Sequence, residues 1–478
     1  MKQLSLFFVL VSLCTSAQVL RVEPQDFSSV ISFGKSGSFN DNEIAVMGNT
    51  VPNVISKLYL FNMGTEITPN GLLDSPETNQ NFDGGIEMTN DFLFIGSTTN
   101  NTNVTNGGAV YVYKKVSGNW NYLLKLQPTT QSENNRFGSN IAFHDGQLFV
   151  TASGYDSNGS STLNNGGVYH YYLIQNDTFA HVGILSGNEA DFGFGDLLEF
   201  ENNKMVTTSD GSTTDTVYTY QHGNVSWGLL NTLQMPVFTE FNVNVKASDR
   251  VSFSNGKLYM YHYDENTADP FLFGKRVKIY NWSDNQFQWN FSENFSFQEG
   301  DYLEYKVKVR GTNMYLIPVG WYILQMERKN PAFHYQFNGT SWNYVGLYKG
   351  MSSFDNDDFG YFTVAKGNKV LFGNSTEKWS QFTSWNGGAY MVDSALSADE
   401  FDNQNVLLFP NPTNGIISIA SPNAQLTQVE LFDSLGKSIL IQNFNFETID
   451  VSSLSSGIYL CKITDNFGRF ETKKIIKN

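Results

Sequence analysis

The chain has 478 residues, 40% hydrophobic, 15% aromatic and only 16% charged, against about 25% charged for an average soluble domain. Thirty basic and 46 acidic residues leave a net charge of −16, which argues against nucleic acid as a partner, since that binding rests on Lys and Arg at phosphates. Forty-one glycines, 12 prolines and 39 phenylalanines argue against both disorder and a helical bundle and predict turn-rich β structure.

Residues 1–17 read as a secretory signal. Lys2 is the positive end, Leu4 to Leu13 the apolar core, and Thr15-Ser16-Ala17 the small-residue site, so cleavage is expected between Ala17 and Gln18. The apolar run is shorter than the roughly 20 residues a membrane span needs, and no transmembrane segment is expected after cleavage. Cys14 leaves with the leader. Cys461 then stands alone, in the alternating run Ile458–Ile463, and reads as a small buried hydrophobe. Next, Val19-Leu20-Arg21-Val22-Glu23-Pro24 reads as a strand without an adjacent partner. It compares with Leu124-Lys125-Leu126-Gln127-Pro128 and Leu233-Gln234-Met235-Pro236.

A block then recurs. Its clearest copies are FGSNIAFHDGQLFV at 137–150, FGDLLEFENNKMVT at 194–207 and FGYFTVAKGNKVLF at 359–372, with a looser copy at 82–95. Residues 251–260 and 307–316 keep the hairpin and lose the Phe-Gly opening, and Phe33-Gly34 opens the first copy. The equivalent positions are 33, 82, 137, 194, 247, 303 and 359, at intervals of 49–57 residues. Each copy predicts a strand, a tight hairpin such as Asp145-Gly146, a second strand, a polar loop, a Gly-Gly third strand and a fourth strand. The third strands are Gly107-Gly108-Ala109-Val110-Tyr111, Gly166-Gly167-Val168-Tyr169 and Gly387-Gly388-Ala389-Tyr390. Seven four-stranded copies predict an all-β, seven-bladed β-propeller over residues 18–397. The seventh copy lacks its own fourth strand, so Val19–Pro24 is expected to close the ring and remove an open edge.

These repeats resemble the FG-GAP type found in integrin α-subunit propellers and bacterial surface proteins. That family's calcium blades carry an Asp-x-Asp-x-Asp-Gly loop between the first two strands. Here the turns are short (His144-Asp145-Gly146-Gln147, Asn202-Asn203-Lys204, Ser254-Asn255-Gly256-Lys257) and offer one carboxylate at most. Calcium takes 6–8 oxygen ligands, so its sites are not carried over and no cofactor is expected. The Asp355-Asn356-Asp357-Asp358 run leaves Asp355, Asp357 and Asp358 as the best ion candidates, although turn chemistry explains such residues equally well.

No HExxH, GxSxG, Walker loop or CxxC pair is present. The six histidines are scattered, and His144 is expected to face solvent from a hairpin. Trp120, Trp227, Trp289 and Trp342 recur at one register of the fourth strand, which reads as packing. Trp321, Tyr322, Trp379 and Trp385 fall outside that register, in two loops that could form a glycan or peptide platform.

After a linker at 398–405, residues 406–478 alternate as short strands between turns and predict a small Ig-like β-sandwich. Four ordered pieces carry a resemblance to the type A C-terminal sorting domain of the type IX secretion system of Bacteroidetes. They are Pro410-Asn411-Pro412-Thr413-Asn414-Gly415, Val429–Asp433 with Gly436-Lys437, Asp450–Leu454 with Ser456-Gly457-Ile458-Tyr459, and Lys473-Lys474-Ile475-Ile476-Lys477. The resemblance implies export across the outer membrane, the secretion machinery as partner, and a secreted or cell-surface location. Two functions follow as expectations: a non-catalytic propeller that binds extracellular protein or glycan, or an extracellular propeller glycosidase or lyase acting on polysaccharide.

Overall fold

The computed structural model describes residues 19–393 and 407–478, apart from 25–28, 51–53, 65, 79, 157–164, 188–191, 213, 224–225, 237–244, 265–273, 298–303, 320–327, 330, 351–355, 358, 376–386, 421–425, 434–436, 443–445 and 466–469. It divides into a large unit, Val19–Val392, and a C-terminal unit. Both are built from strands.

In the large unit, seven antiparallel sheets follow one another along the chain. Sheet one spans Val30–Leu73, sheet two Ile86–Leu126, sheet three Phe137–Ser186 and sheet four Glu199–Pro236. Sheet five spans Val251–Ser296, sheet six Glu304–Tyr348 and sheet seven Thr363–Asp393. Within each, strands pair in chain order, except that Val30–Ile31 and Gly37–Phe39 both pair with Glu43–Thr50 in sheet one and Arg328–Lys329 stands outside sheet six. Sheet seven takes its fourth strand from the other end of the chain: Val19–Val22 pairs antiparallel with Ala389–Val392. The orphan strand read from the sequence therefore has its partner.

Alternating side chains place apolar residues on both faces of the inner strands, so each sheet packs against the next. Met47 and Leu60 of sheet one meet Leu93 and Tyr113 of sheet two. Phe94 and Val112 meet Ile141 and Tyr171 of sheet three, and Phe149 meets Met205 and Tyr220 of sheet four. Val206 and Val217 meet Phe253 and Leu258 of sheet five, and Tyr261 and Ile279 meet Tyr305 and Leu316 of sheet six. Tyr315 stands edge-on to Phe372 of sheet seven at 5.7 Å. Finally Leu371, Met391 and Val22 of sheet seven share a core with Ile44 and Phe61 of sheet one.

The Phe-Gly openings have a common task. Phe33, Phe82, Phe137, Phe194 and Phe359 are all buried, and each packs on the third-strand tyrosine of its own sheet. The pairs are Phe33–Tyr59 at 5.5 Å, Phe82–Tyr111 at 5.8 Å, Phe137–Tyr169 at 5.2 Å, Phe194–Tyr218 at 5.1 Å and Phe359–Tyr390 at 5.3 Å. Four of the five are edge-on. Three of these phenylalanines also lie across a glycine of the preceding third strand, three residues before its tyrosine. A Cβ on Gly108 would stand 2.2 Å from the Phe137 carbonyl oxygen, on Gly166 2.6 Å from that of Phe194, and on Gly387 2.0 Å from that of Phe33. All three glycines also have positive φ, from 79° to 85°. The Phe33–Gly387 contact joins the first sheet to the last.

The fourth strands carry a second regularity. Pairing of the third and fourth strands slips by one residue in sheets one to six, for instance between His170/Tyr171, Thr219/Tyr220 and His334/Tyr335. Bulges of this kind bend an outer edge away from stray pairing. Trp227 and Trp289, expected to pack, are buried. Their indole N–H groups donate to Gln147 (2.9 Å) and Thr219 (2.7 Å) of the preceding sheets.

The C-terminal unit has a three-stranded and a four-stranded sheet. Ile417, Ile419, Ile449 and Val451 of the first share a core with Val429, Leu431, Cys461, Ile463 and Ile475 of the second. Cys461 is buried, as its strand pattern implied, and burial pushes its thiol up to about 12.

The glycine contacts set a first test. Gly166→Ala should cost at least ~3 kcal/mol, from the positive φ and the clash with Phe194 together. Gly146→Ala, in a hairpin with nothing within 4 Å of the added Cβ, should cost only ~1 kcal/mol. Urea unfolding of the purified secreted protein compares them; equal losses would mean the Phe–Gly contact contributes nothing.

Candidate functional site

The first strands of sheets two to seven converge on a cavity of about 380 Å³, within the size range of small-ligand sites. Its lining carries four carboxylates (Glu87, Asp196, Glu199, Asp249) and four cations (Lys306, Lys308, Arg310, Lys366). Three of the cations come from one strand, Glu304–Arg310, where alternation turns Lys306, Lys308 and Arg310 to the same side.

Nearly all of these charges are matched between sheets. Lys366 Nζ of sheet seven lies 3.0 Å from Glu87 Oε1 of sheet two and donates to the Met88 carbonyl at 2.9 Å. Ser38 Oγ donates to Glu87 Oε2 at 3.2 Å. On the other side Lys308 of sheet six pairs with Glu199 of sheet four. Glu199 also accepts from Ser252 Oγ at 3.2 Å and from the Phe253 amide. The two Ser–Glu–Lys groups therefore have the same parts. Lys306 pairs with Asp249 at 3.1 Å, and Lys246, from outside the lining, pairs with Asp196. Arg310 is the one lining cation with no ion-pair partner among the described residues.

A larger groove, about 530 Å³, runs along the outer strands of sheet one beside Pro24. It brings together aliphatic and aromatic side chains with Lys57 alone as a charged group, so it offers no convergent chemistry.

Buried polar groups mark the joint between sheets four and five. Asp215 takes the position held by Gly108, Gly166 and Gly387 in the Gly-Gly strands. Its carboxylate pairs with Arg250, and both side chains are at most 4% exposed. Arg250 Nη1 also donates to the Pro236 carbonyl at 3.0 Å. Nearby, Asp210 accepts the Ala247 amide at 2.7 Å; burial pushes its carboxyl up to about 6, against that hydrogen bond. His170 and His334 stack on Phe149 (4.8 Å) and Tyr315 (4.8 Å). Their ring nitrogens meet Gln147 and Asn313, each at 2.9 Å. Burial pulls both imidazoles down to about 4.

Of the residues singled out from the sequence, Trp321, Tyr322, Trp379, Trp385, Asp355 and Asp358 lie outside the described residues, as do Ala17 and Gln18. Asn356-Asp357 forms a two-residue strand parallel to Arg328-Lys329. His144 does not face solvent freely: it is half-buried, stacked on Phe200 at 5.0 Å. No cluster of three or more His, Cys, Asp or Glu able to hold a metal occurs among the described residues. The tight hairpins of sheets three to five do not fit an Asp-rich calcium loop.

In the C-terminal unit, the Pro410-Asn411-Pro412 segment clasps the last strand. Asn411 Nδ2 donates to the Lys474 carbonyl at 2.6 Å, and the Ile476 amide donates to Asn411 Oδ1 at 2.8 Å. The Thr413 amide donates to the Ile476 carbonyl and the Asn478 amide to the Thr413 carbonyl, each at 2.9 Å. A Cβ on Gly415 would stand 2.7 Å from Ser452 Oγ. Gly457 pairs with Lys477, Cys461 with Lys473 and Leu460 with Lys474, while Tyr459 OH donates to the Ser455 carbonyl at 2.8 Å.

Residues 407–478 match the family described as "Secretion system C-terminal sorting domain". The unit is thus the sorting domain of the type IX secretion system, and it directs the protein to the cell surface or the medium. Ulvan lyase NLR42 of Nonlabens ulvanivorans is 24% identical over 140 residues, 29% of this chain and 25% of that protein. The chain thus spans about a quarter of that relative's length. Among solved structures, the WD40 domain of Toxoplasma gondii coronin aligns at 10% identity, with a TM-score of 0.44 over 81% of this chain and 90% of that one. The β-propeller domain of the Trilobed protease from Pyrococcus furiosus aligns at 7% identity and a TM-score of 0.42, over 76% and 96%. PorZ, a surface component of the type IX secretion system of Porphyromonas gingivalis, aligns at 11% identity and a TM-score of 0.34, over 92% and 70%. No helix among the described residues is long and apolar enough to cross a membrane.

Two stability tests follow. Removing one member of the Asp215–Arg250 pair leaves a buried charge, so Asp215→Ala should cost ~3–5 kcal/mol; a loss below ~1 kcal/mol would deny the pair its place at the joint. Acid supplies the second. His170 and His334 bind protons less readily folded than unfolded, so their contribution, on the order of 3 kcal/mol each, is present above pH 6.5 and is lost as pH falls toward about 4. Asp210 acts oppositely, because its buried charge is relieved below about 6. Melting temperature should fall between pH 6.5 and 4, less steeply in His334→Gln and more steeply in Asp210→Asn.

Proposed function

We propose that this protein is an exported, non-catalytic seven-bladed β-propeller of FG-GAP type that binds an extracellular glycan or protein. On this reading a signal peptide at 1–17 is removed between Ala17 and Gln18, the propeller spans 18–397, a linker 398–405 follows, and the Ig-like sorting domain 406–478 engages the secretion machinery. Seven sequential sheets, joined first to last by Val19–Val22 and by Phe33 on Gly387, support the blade count.

One observation carries the non-catalytic reading: each carboxylate lining the central cavity among the described residues is paired with a lysine from another element of the chain. A general acid must hold a proton and a general base must be open to take one, and a carboxylate locked to an ammonium does neither well. A second reading, an enzyme acting on polysaccharide, draws on the partial similarity to Ulvan lyase NLR42. Extracellular polysaccharides incubated with the secreted protein separate the two. Retention without new reducing ends or unsaturated products supports binding alone, and product formation supports the enzyme. Retention should survive EDTA, since no metal is assigned.

Delivery is tested separately. A chain ending at residue 405 should accumulate in the periplasm, and its appearance in the medium at wild-type level would overturn the role of the sorting domain.

A further inference from the structure

The charges of the central cavity do not quite balance by pairing. Lys306, Lys308 and Lys366 each hold a carboxylate from another element of the chain. The fourth lining carboxylate, Asp196, is held by Lys246 from outside. Arg310 remains, half-buried, in the cavity wall, with neither an ion pair nor a cation–π partner among the described residues.

Its position is suited to a ligand. Arg310 is the last residue of its strand before the hairpin and pairs with Asn313. The same register in the flanking sheets is held by Ser254, paired with Lys257, and by Lys366, paired with Lys369. Ser254 Oγ is already engaged by the Gly311 amide at 3.1 Å, which fixes the backbone directly after Arg310. The guanidinium is therefore set on a rigid hairpin and not on a mobile loop. A planar guanidinium binds carboxylate or sulfate through two parallel hydrogen bonds. On a protein of net charge −16, a lining cation outside any ion pair among the described residues attracts an anion by its local field.

We propose that Arg310 anchors an anionic group, carboxylate or sulfate, of an extracellular polysaccharide entering the central cavity from the hairpin side. The proposal rests on the glycan-binding reading above and narrows its ligand to acidic sugars.

Calorimetry on the full secreted protein tests it with three probes: oligogalacturonides for carboxylate, carrageenan oligosaccharides for sulfate, and xylo-oligosaccharides as the neutral arm. Binding of at least one acidic probe is expected, weakening with added salt and absent for the neutral one. Arg310→Gln should weaken it by about tenfold or more, and Arg310→Lys, which keeps charge but loses the fork, by less. Lys57→Gln, in the groove of sheet one, should bind as wild type. Melting curves confirm that the variants are folded. Equal binding of acidic and neutral probes, or unchanged binding by Arg310→Gln, overturns the anion anchor and leaves glycan binding standing. Failure of all three probes to bind overturns the proposal and the glycan reading together.

Discussion

The large unit depends on one contact made at three of its joints: a phenylalanine backbone laid across a glycine that has no Cβ. The phenylalanine ring belongs to one sheet and its carbonyl sits on the sheet before. Any side chain at Gly108, Gly166 or Gly387 would occupy the space the Phe137, Phe194 or Phe33 carbonyl fills. The ring then packs against the third-strand tyrosine of its own sheet, a contact worth ~0.5–1.5 kcal/mol beyond burial alone. One short motif thereby sets the distance between two sheets and the orientation of the second. Because Phe33 makes the contact with Gly387, the first and last sheets of the large unit are joined by the same geometry, and the four-residue strand Val19–Val22 adds its hydrogen bonds.

At the joint of sheets four and five a charge pair stands in place of the motif. Asp215 stands where glycine stands elsewhere, and Arg250 reaches across from the next sheet to meet it. A buried pair of this kind contributes modestly to net stability, since desolvation offsets most of the attraction. What it supplies is direction: only one placement of sheet five satisfies both groups. The two Ser–Glu–Lys groups act likewise within the cavity. Each draws its three members from three different sheets, so each fixes several sheets at once.

Much of this was legible in the sequence, for a definite reason. Phe-Gly openings, hairpin turns and Gly-Gly strands are local and recur at near-constant spacing, so self-comparison finds them. Likewise the orphan strand Val19–Pro24 and the missing fourth strand of the last copy are complementary facts. The cavity was not legible. Lys308 and Glu199 are 109 residues apart, Lys366 and Glu87 279 apart, and neither pair repeats. A signal did exist: Lys306, Lys308 and Arg310 alternate in a strand whose counterparts are mostly apolar or neutral, as in Ile141-Ala142-Phe143. Aromatic residues drew the sequence reading instead, because loops outside the repeat register stand out more than charges within it.

The low charge of the chain also takes on a different sense. Its acidic excess is absent from the cavity lining, where four carboxylates face four cations, so the whole of the −16 lies elsewhere. Asn, Ser, Thr and Gly form the turns and loops, and aromatic rings fill the spaces between sheets. Charges that do enter the interior are arranged in pairs across sheet boundaries, where they specify placement. A cavity so closely balanced gives weight to the one lining cation that has no ion-pair partner among the described residues. Were Arg310 only a support for the fold, it would be expected to share the arrangement of its neighbours Lys306 and Lys308, each of which has a carboxylate from another element of the chain. Its position on the same strand, lining the same cavity, without such a carboxylate among the described residues is what the anion-anchor proposal rests on.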